Sequence, residues 1–323
     1  CTTRAADGMV VRTETEELTR VRRMICEMLI ADHPSECLRC SSNQKCELQK
    51  VAYHLGIRDL RLDRTEREAV FDDSNPFFTR ELGKCILCGR CWRACGELRA
   101  VGAIEVVGRG YDSRVAGFGD RPIAESSCES CGECVDRCPV GAISPKREVL
   151  PPTGQVRTIC PYCGCGCGLV LGTRGGRIVS VRGDPLHPVS RGSLCVKGRF
   201  GLDFVGNADR LTAPLVRRDG KLQQAGWEEA LDLVARRLSQ IKAAHGPDAI
   251  AGLSSAKCTN EENYLFQKFI RAAVGTNNVD HCARLCHAST VVGLARAFGS
   301  GAMTNSIAEI EGADCILVTG SNT

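Results

Sequence analysis

Cys85-Ile86-Leu87-Cys88-Gly89-Arg90-Cys91-Trp92-Arg93-Ala94-Cys95 decides the reading of this chain, because its C-x2-C-x2-C-x3-C spacing returns at Cys128, Cys131, Cys134 and Cys138. Three cysteines two residues apart can wrap one corner of a cubane iron-sulfur cluster, while the fourth points towards the neighbouring cluster in two-cluster ferredoxins. The expected ligand sets are therefore crossed: Cys85, Cys88 and Cys91 with Cys138, and Cys128, Cys131 and Cys134 with Cys95. Gly89 and Gly132 sit where the backbone must turn tightly and aim N–H groups at sulfur. Pro139 follows the second run as in bacterial ferredoxins, whereas Gly96 follows the first and the linker between runs is long. Zinc ribbons use two C-x2-C pairs rather than eight cysteines in this register.

Outward from this repeat, the chain holds 22 cysteines among 323 residues. Repeated C-x2-C units argue against the disulfide frameworks of small secreted chains and for a reducing compartment. An apolar content of 43% supports several cores, and a net charge of +4 with interspersed acids indicates no nucleic-acid face. No run of 18 apolar residues exists, so no membrane span is expected. The chain starts at Cys1 rather than methionine and stops just past an apolar run, so both ends read as truncated.

Upstream, Leu18, Val21, Ile25 and Met28 repeat at helical spacing over residues 13–31 and predict a helix with that stripe in the core. It leads to His33, Cys37, Cys40 and Cys46, a set that spacing alone leaves open between a structural zinc and an iron-sulfur site. Arg20, Arg22 and Arg23 read as a solvated helix face. Downstream, Pro151, Pro152 and Gly154 mark a linker, followed by Cys160, Cys163 and Cys167 with Cys195 as a distant fourth, a further 4Fe-4S pattern in which Cys165 competes. Short strands are expected around Leu169 to Leu171 and Ile178 to Val181. Lys197, two residues past Cys195, must lie near that site.

From Trp227 the pattern becomes α/β. Leu231, Val234, Leu238 and Ile241 form a helical stripe, Gly246-Pro247 breaks it, and Ala249 to Leu253 reads as a buried strand. Thr259 and Glu262 form a capping box for a helix presenting Phe266, Phe269, Ile270 and Ala273 to the core. A helix over Val291 to Phe298 and a strand over Cys315 to Val318 complete the pattern, with Thr319, Gly320, Ser321 and Asn322 at that strand's end, where a phosphate-bearing ligand or an ordinary turn would fit equally. Cys26, Cys258 and Cys315 read as small buried residues. Cys286 by itself reads as another such small buried residue, or, followed by His287, as a soft thiolate paired with an imidazole able to relay protons near neutral pH; Cys282 is the competing thiol.

Together the Cys160–Cys167 run, Cys195-Val196-Lys197-Gly198, Thr259-Asn260-Glu261-Glu262-Asn263-Tyr264 and Cys286-His287 after Asn277-Asn278-Val279-Asp280 resemble the catalytic subunit of cytoplasmic NAD-linked formate dehydrogenases, members of the molybdenum or tungsten bis-pyranopterin guanine dinucleotide family. The resemblance implies five parts: residues 1–12 as the tail of a 2Fe-2S domain with Cys1 its last ligand, 13–74 as a His/Cys3 4Fe-4S domain, 75–150 as a two-cluster ferredoxin-like domain, 155–207 as a 4Fe-4S subdomain, and 208–323 as the start of an α/β molybdopterin-binding domain. It implies four complete 4Fe-4S clusters, with His33, Cys37, Cys40 and Cys46 holding one, and a molybdenum or tungsten bis-pterin cofactor. Cys286 would be the metal ligand, His287 the adjacent proton carrier, and Lys197 would lie between pterin and cluster, with Gly320 and Asn322 as pterin contacts. The implied reaction is formate oxidation to carbon dioxide, with electrons leaving to a flavin-containing, NAD-reducing partner subunit. The competing resemblances are the large iron-sulfur subunit of complex I, which conducts electrons without its own substrate, and assimilatory nitrate reductase. Iron-only hydrogenase shares the front clusters but lacks the Cys160 to Lys197 module.

Overall fold

A computed structural model describes residues 3–65, 70–147 and 151–320 of the chain, which divides into two compact units, residues 1–204 and 205–323. Cys1, Ser321 and Asn322 lie outside the described residues.

The first unit opens with α1 (Glu16–Ala31), whose start is fixed by the Thr15 hydroxyl accepting the Leu18 N–H at 3.1 Å, with Glu16 and Glu17 complementing the helix dipole. The stripe expected in the core is not there: Val21, Ile25 and Met28 are 39%, 51% and 56% exposed, and Cys26, Glu27 and Ala31 are buried instead. The helix meets its neighbours on one flank only, and the periodic apolar face is left uncovered by the described residues. Glu27 tolerates burial because Arg61 and Arg23 grip its carboxylate at 2.7 and 3.3 Å. The Arg61 hydrogen bond holds its pKa below the ordinary carboxylate range. Cys26 packs with Cys46, Leu48 of α2 (Glu47–His54), Val140 and Ala142, so both helices dock on the chain that follows Cys138.

Strands β1 (Phe71–Asp72), β2 (Phe78–Glu81) and, much later, β5 (Ile143–Pro145) form one antiparallel sheet with Arg80 opposite Ile143. That pairing joins the chain before the first cysteine run to the chain after the second, so the two runs share one core of Phe78, Cys91, Ile104, Val115, Ile123 and Ile143. Between them lie α3 (Arg90–Arg93), the hairpin β3 (Glu105–Val107) and β4 (Arg114–Ala116), and α4 (Glu133–Arg137). α3 and α4 each begin after a left-handed glycine, Gly89 at φ 80° and Gly132 at φ 75°, at equivalent places in the repeat. Only glycine adopts such a φ without strain.

The expected linker is in part a strand. β6 (Gly154–Ile159), β7 (Gly168–Arg174) and β8 (Arg177–Gly183) form an antiparallel meander, with Cys160 and Cys167 at the ends of adjoining strands. α5 (Val196–Phe200) begins next to Cys195 and closes the unit.

In the second unit, β9 (Leu215–Arg218) and β10 (Lys221–Gln224) make a hairpin turned by Asp219-Gly220, both left-handed. α6 (Trp227–His245) ends at Gly246, as its sequence predicts. β11 (Gly252–Ser254) pairs in parallel with β12 (Val279–His281), linked by α7 (Asn260–Lys268) and a π-helical turn over Phe269–Val274. The capping box is present: Glu262 N–H to the Thr259 hydroxyl at 3.2 Å and Thr259 N–H to the Glu262 carboxylate at 2.7 Å.

The core positions differ from expectation. Ile250, Ile270 and Val274 are buried, with Leu238, Phe266 and Val279 against them; Phe269, Ala273 and Leu253 are exposed. The π turn advances the burial pattern by one residue, which moves Val274 inward in place of Ala273. Of the α6 stripe, Leu231, Val234 and Ile241 are exposed. α8 (Ala283–Cys286) and α9 (Ala288–Phe298) follow. Cys315–Val318 forms no strand and is exposed, so Gly320 does not sit at a strand end; Cys258 and Cys315 are exposed rather than buried, because no described layer covers these segments. Among the described residues no helix is long and apolar enough to cross a membrane.

Candidate cluster and catalytic sites

Cys85, Cys88, Cys91 and Cys138 line one cavity, and Cys95, Cys128, Cys131 and Cys134 line another. Each space thus draws three sulfurs from its own run and one from the other. Among the described residues no three His, Cys, Asp or Glu side chains converge on one ion-sized point. The sulfurs surround a space instead, the arrangement a cubane uses, since each iron takes a different thiolate.

Local geometry repeats with the sequence. Leu87 and Ser130, both left-handed, donate their N–H groups to Cys85 and Cys128 Sγ at 3.4 Å in each case, and the Ala103 N–H reaches Cys95 Sγ at 3.3 Å. Donors of this kind stabilise negative charge on sulfur. Burial pushes the Cys91 thiol up to about 12, reinforced by Cys85, Cys138 and Cys88, and pushes Cys134 well above its ordinary value. Such thiols stay protonated in a dry site unless a metal cation replaces the proton.

His33, Cys37, Cys40 and Cys46 occupy the loop between α1 and α2. His33 Nδ1 is buried without a hydrogen-bond partner among the described residues, and burial, then Lys84, lowers the imidazole pKa. A neutral imidazole with an unsatisfied buried nitrogen suits a metal ligand. The loop lies against the segment after Cys138: the Glu47 N–H donates to the Pro139 carbonyl at 2.8 Å, and a Cβ at Gly141 would stand 2.7 Å from Cys40 Sγ. Gly141 therefore permits the close approach of this loop to the first cysteine cavity.

Cys160 is buried and shares a core with Leu169, Leu194 and Leu202, with Cys167 packed against them. Its N–H donates to the Cys167 carbonyl at 2.8 Å, and Gly198 on α5 faces Cys160 Sγ. Burial, then the thiolates of Cys165, Cys160, Cys163 and Cys195, raises the Cys167 pKa, so all five cysteines share one neighbourhood and Cys165 still competes. Lys197 is exposed on the same helix.

Spacing gave no hint of the joint between this site and the second cavity. Arg199, 3% exposed along its side chain, donates to the Cys131 carbonyl at 2.7 Å and to Glu133 at 2.7 Å, and also pairs with Asp136. Its own N–H donates to the Cys195 carbonyl at 3.1 Å, so hydrogen bonds and one side chain run from Cys195 to Cys131. Phe200 stacks on Phe77 at 4.8 Å.

In the second unit Cys286 ends α8 and His287 follows it, both exposed. Cys282, also exposed, is more anchored: it accepts the Ala256 N–H at 3.2 Å and lies 4.0 Å from His281 Nδ1. Gly320 is exposed near the end of the described chain, and no contact assigns it a ligand.

Four family profiles match this chain. Residues 22–61 match the iron-sulfur binding region of NADH-ubiquinone oxidoreductase-G, 84–142 the 4Fe-4S dicluster domain, 153–207 the molybdopterin oxidoreductase Fe4S4 domain, and 210–323 molybdopterin oxidoreductase. Over its whole length the chain is 34% identical to "Probable oxidoreductase YjgC" of Bacillus subtilis (strain 168). It is 39% identical, again over its whole length, to a protein of Rhizobium meliloti (strain 1021) named as a subunit of NADH-quinone oxidoreductase. A Staphylococcus aureus (strain USA300) relative with a provisional formate dehydrogenase name is 31% identical over the whole chain. The chain spans 37% of the length of each of these relatives.

Proposed function

We propose, for a chain whose residues 153–207 and 210–323 belong to the molybdopterin oxidoreductase family, that the protein oxidises formate to carbon dioxide and conducts the electrons away through its cysteine sites. The observation that carries this reading is Cys286 beside His287, both exposed at the end of α8 within the molybdopterin oxidoreductase segment. The provisional name of the Staphylococcus relative supports it.

Formate oxidation releases one proton and two electrons. A molybdenum or tungsten centre bound by two pterin guanine dinucleotides would accept the electron pair. Cys286 would hold the metal through its thiolate, a soft donor suited to it, and His287 would take the proton on its ring nitrogen. Lys197 would place a cation beside the Cys160, Cys163, Cys167 and Cys195 cluster. The crossed cysteine sets and His33, Cys37, Cys40 and Cys46 would each hold a 4Fe-4S cluster, passing electrons singly. Cys1 would belong to a 2Fe-2S site, Gly320 and Asn322 would face the pterin, and the acceptor would be a flavin-containing, NAD-reducing partner subunit in the cytoplasm.

A second reading, an electron-conducting subunit with no substrate of its own, is favoured by the 39% identity to the Rhizobium protein named in NADH-quinone oxidoreductase. Metal analysis of the full-length protein, purified without oxygen, separates the two. Formate oxidation requires about one molybdenum or tungsten per chain, with at least about 16 iron for the four cubanes, and formate must bleach the iron-sulfur absorbance. Full iron without either heavy metal selects the conducting subunit.

A further inference from the structure

Arg80 is the one side chain of β2 that borders both crossed cysteine cavities. It is 3% exposed, on the inward face of the strand beside Phe78. One terminal nitrogen donates to Asp72 at 3.2 Å and the other to the Val115 carbonyl at 2.6 Å. Its Nε is buried and has no hydrogen-bond partner among the described residues. A buried guanidinium spends its donors on acceptors wherever these exist, and an orphaned N–H at a cavity wall marks an acceptor that belongs in the cavity.

We infer that Arg80 is the shared electrostatic anchor of the two clusters, its cation lying between them and its Nε–H directed to sulfur of one. This rests on the cluster assignment proposed above. A cluster gains negative charge on reduction, so a buried cation and a hydrogen bond to sulfur both favour the reduced form. Because the one Arg80 side chain lines both cavities, it raises the reduction potentials of two clusters together and leaves those of the His33 and Cys160 sites unchanged. Asp72 sits on the far side of the guanidinium, where it also accepts the Ile123 N–H at 2.9 Å and the Ser74 N–H at 3.0 Å. It orients the arginine and keeps the fork from turning away.

The test is a redox titration of the intact, cluster-loaded protein followed by electron paramagnetic resonance. It compares wild type, Arg80→Lys, and Arg80→Met combined with Asp72→Asn, which leaves no unpaired buried carboxylate. The expected result is a lower midpoint for two of the four cubane signals in the double variant, with the other two unmoved. Arg80→Lys, which keeps the charge and loses the Nε donor, should shift the same two signals by less. Full iron with all four midpoints unchanged in the double variant overturns the inference and leaves the cluster assignment standing, as does loss of iron from that variant, which would make Arg80 a folding element only. Absence of cubane signals from the wild type would overturn the cluster assignment itself, and the inference with it.

Discussion

At the scale of single residues, burial weighs on the thiols of the crossed cavities, raising the pKa values of Cys91, Cys128, Cys134 and Cys138. Cys91, with an ordinary value of 9.0, is pushed up to about 12 by burial. The folded state therefore holds its proton more tightly than the unfolded chain does. The stability linked to that proton is fully present below about pH 9 and is lost as pH rises towards 12. The melting temperature of the reduced, cluster-free protein should fall between pH 9 and 11 more steeply than that of a Cys91→Ala variant; parallel profiles would contradict the shift. Cys286 makes a different demand. Cys286→Ser should abolish formate turnover while iron content and melting temperature stay near wild type, because the side chain is exposed and unpacked. Retained turnover would transfer the assignment to Cys282. The convergence of Cys138 with Cys85, Cys88 and Cys91 on one cavity was legible in the sequence spacing. Arg80, Glu133 and Arg199 were not, because a buried charge declares itself only through partners supplied by other segments. The sole hint was an arginine in Phe78-Thr79-Arg80-Glu81, at the inward position of a two-residue alternation.

At the scale of elements, α5 meets the second cysteine run through a glycine. A Cβ at Gly132 would lie 2.7 Å from the Phe200 ring and collide with the Arg199 stem, and φ is 75°. Gly132→Ala should cost at least the roughly 1–2 kcal/mol of a left-handed alanine, read as a lower melting temperature. A further expected sign is earlier loss of cluster absorbance on heating. The matching change at Gly56, also left-handed but with open space around its missing Cβ, should cost no more than the backbone strain. Among the elements, α1, α7 and the β7–β8 pair were legible because caps, periodicity and turn residues act locally. The faces of α1 and α6 were not. Periodicity reveals an apolar stripe, but what covers it is decided by other layers, and the described residues cover the Cys26 flank of α1 instead.

At the scale of the molecule, the segment after Cys138 ties the first ferredoxin-like cavity to the His33 loop. Cys138→Ser removes one sulfur from the first cavity, yet the segment it anchors carries Pro139, Val140 and Ala142, which also support the His33 loop. Loss should therefore exceed one cubane: about eight iron per chain rather than about four, measured in anaerobically purified protein. A loss of only four would show that the His33 site fills without the first cavity. The crossing also sets an order of events during biosynthesis. When Cys85, Cys88 and Cys91 emerge from the ribosome their fourth partner has not yet been translated, and Cys95 is likewise waiting for a run that lies downstream. On the proposed ligand sets no cluster in this region can be completed before the second run is made: Cys134 completes one set and Cys138 the other. With these sets as ligands, iron delivery would wait until both runs are made, and the β2–β5 pairing that brackets them would tie cofactor loading to folding rather than to the progress of synthesis.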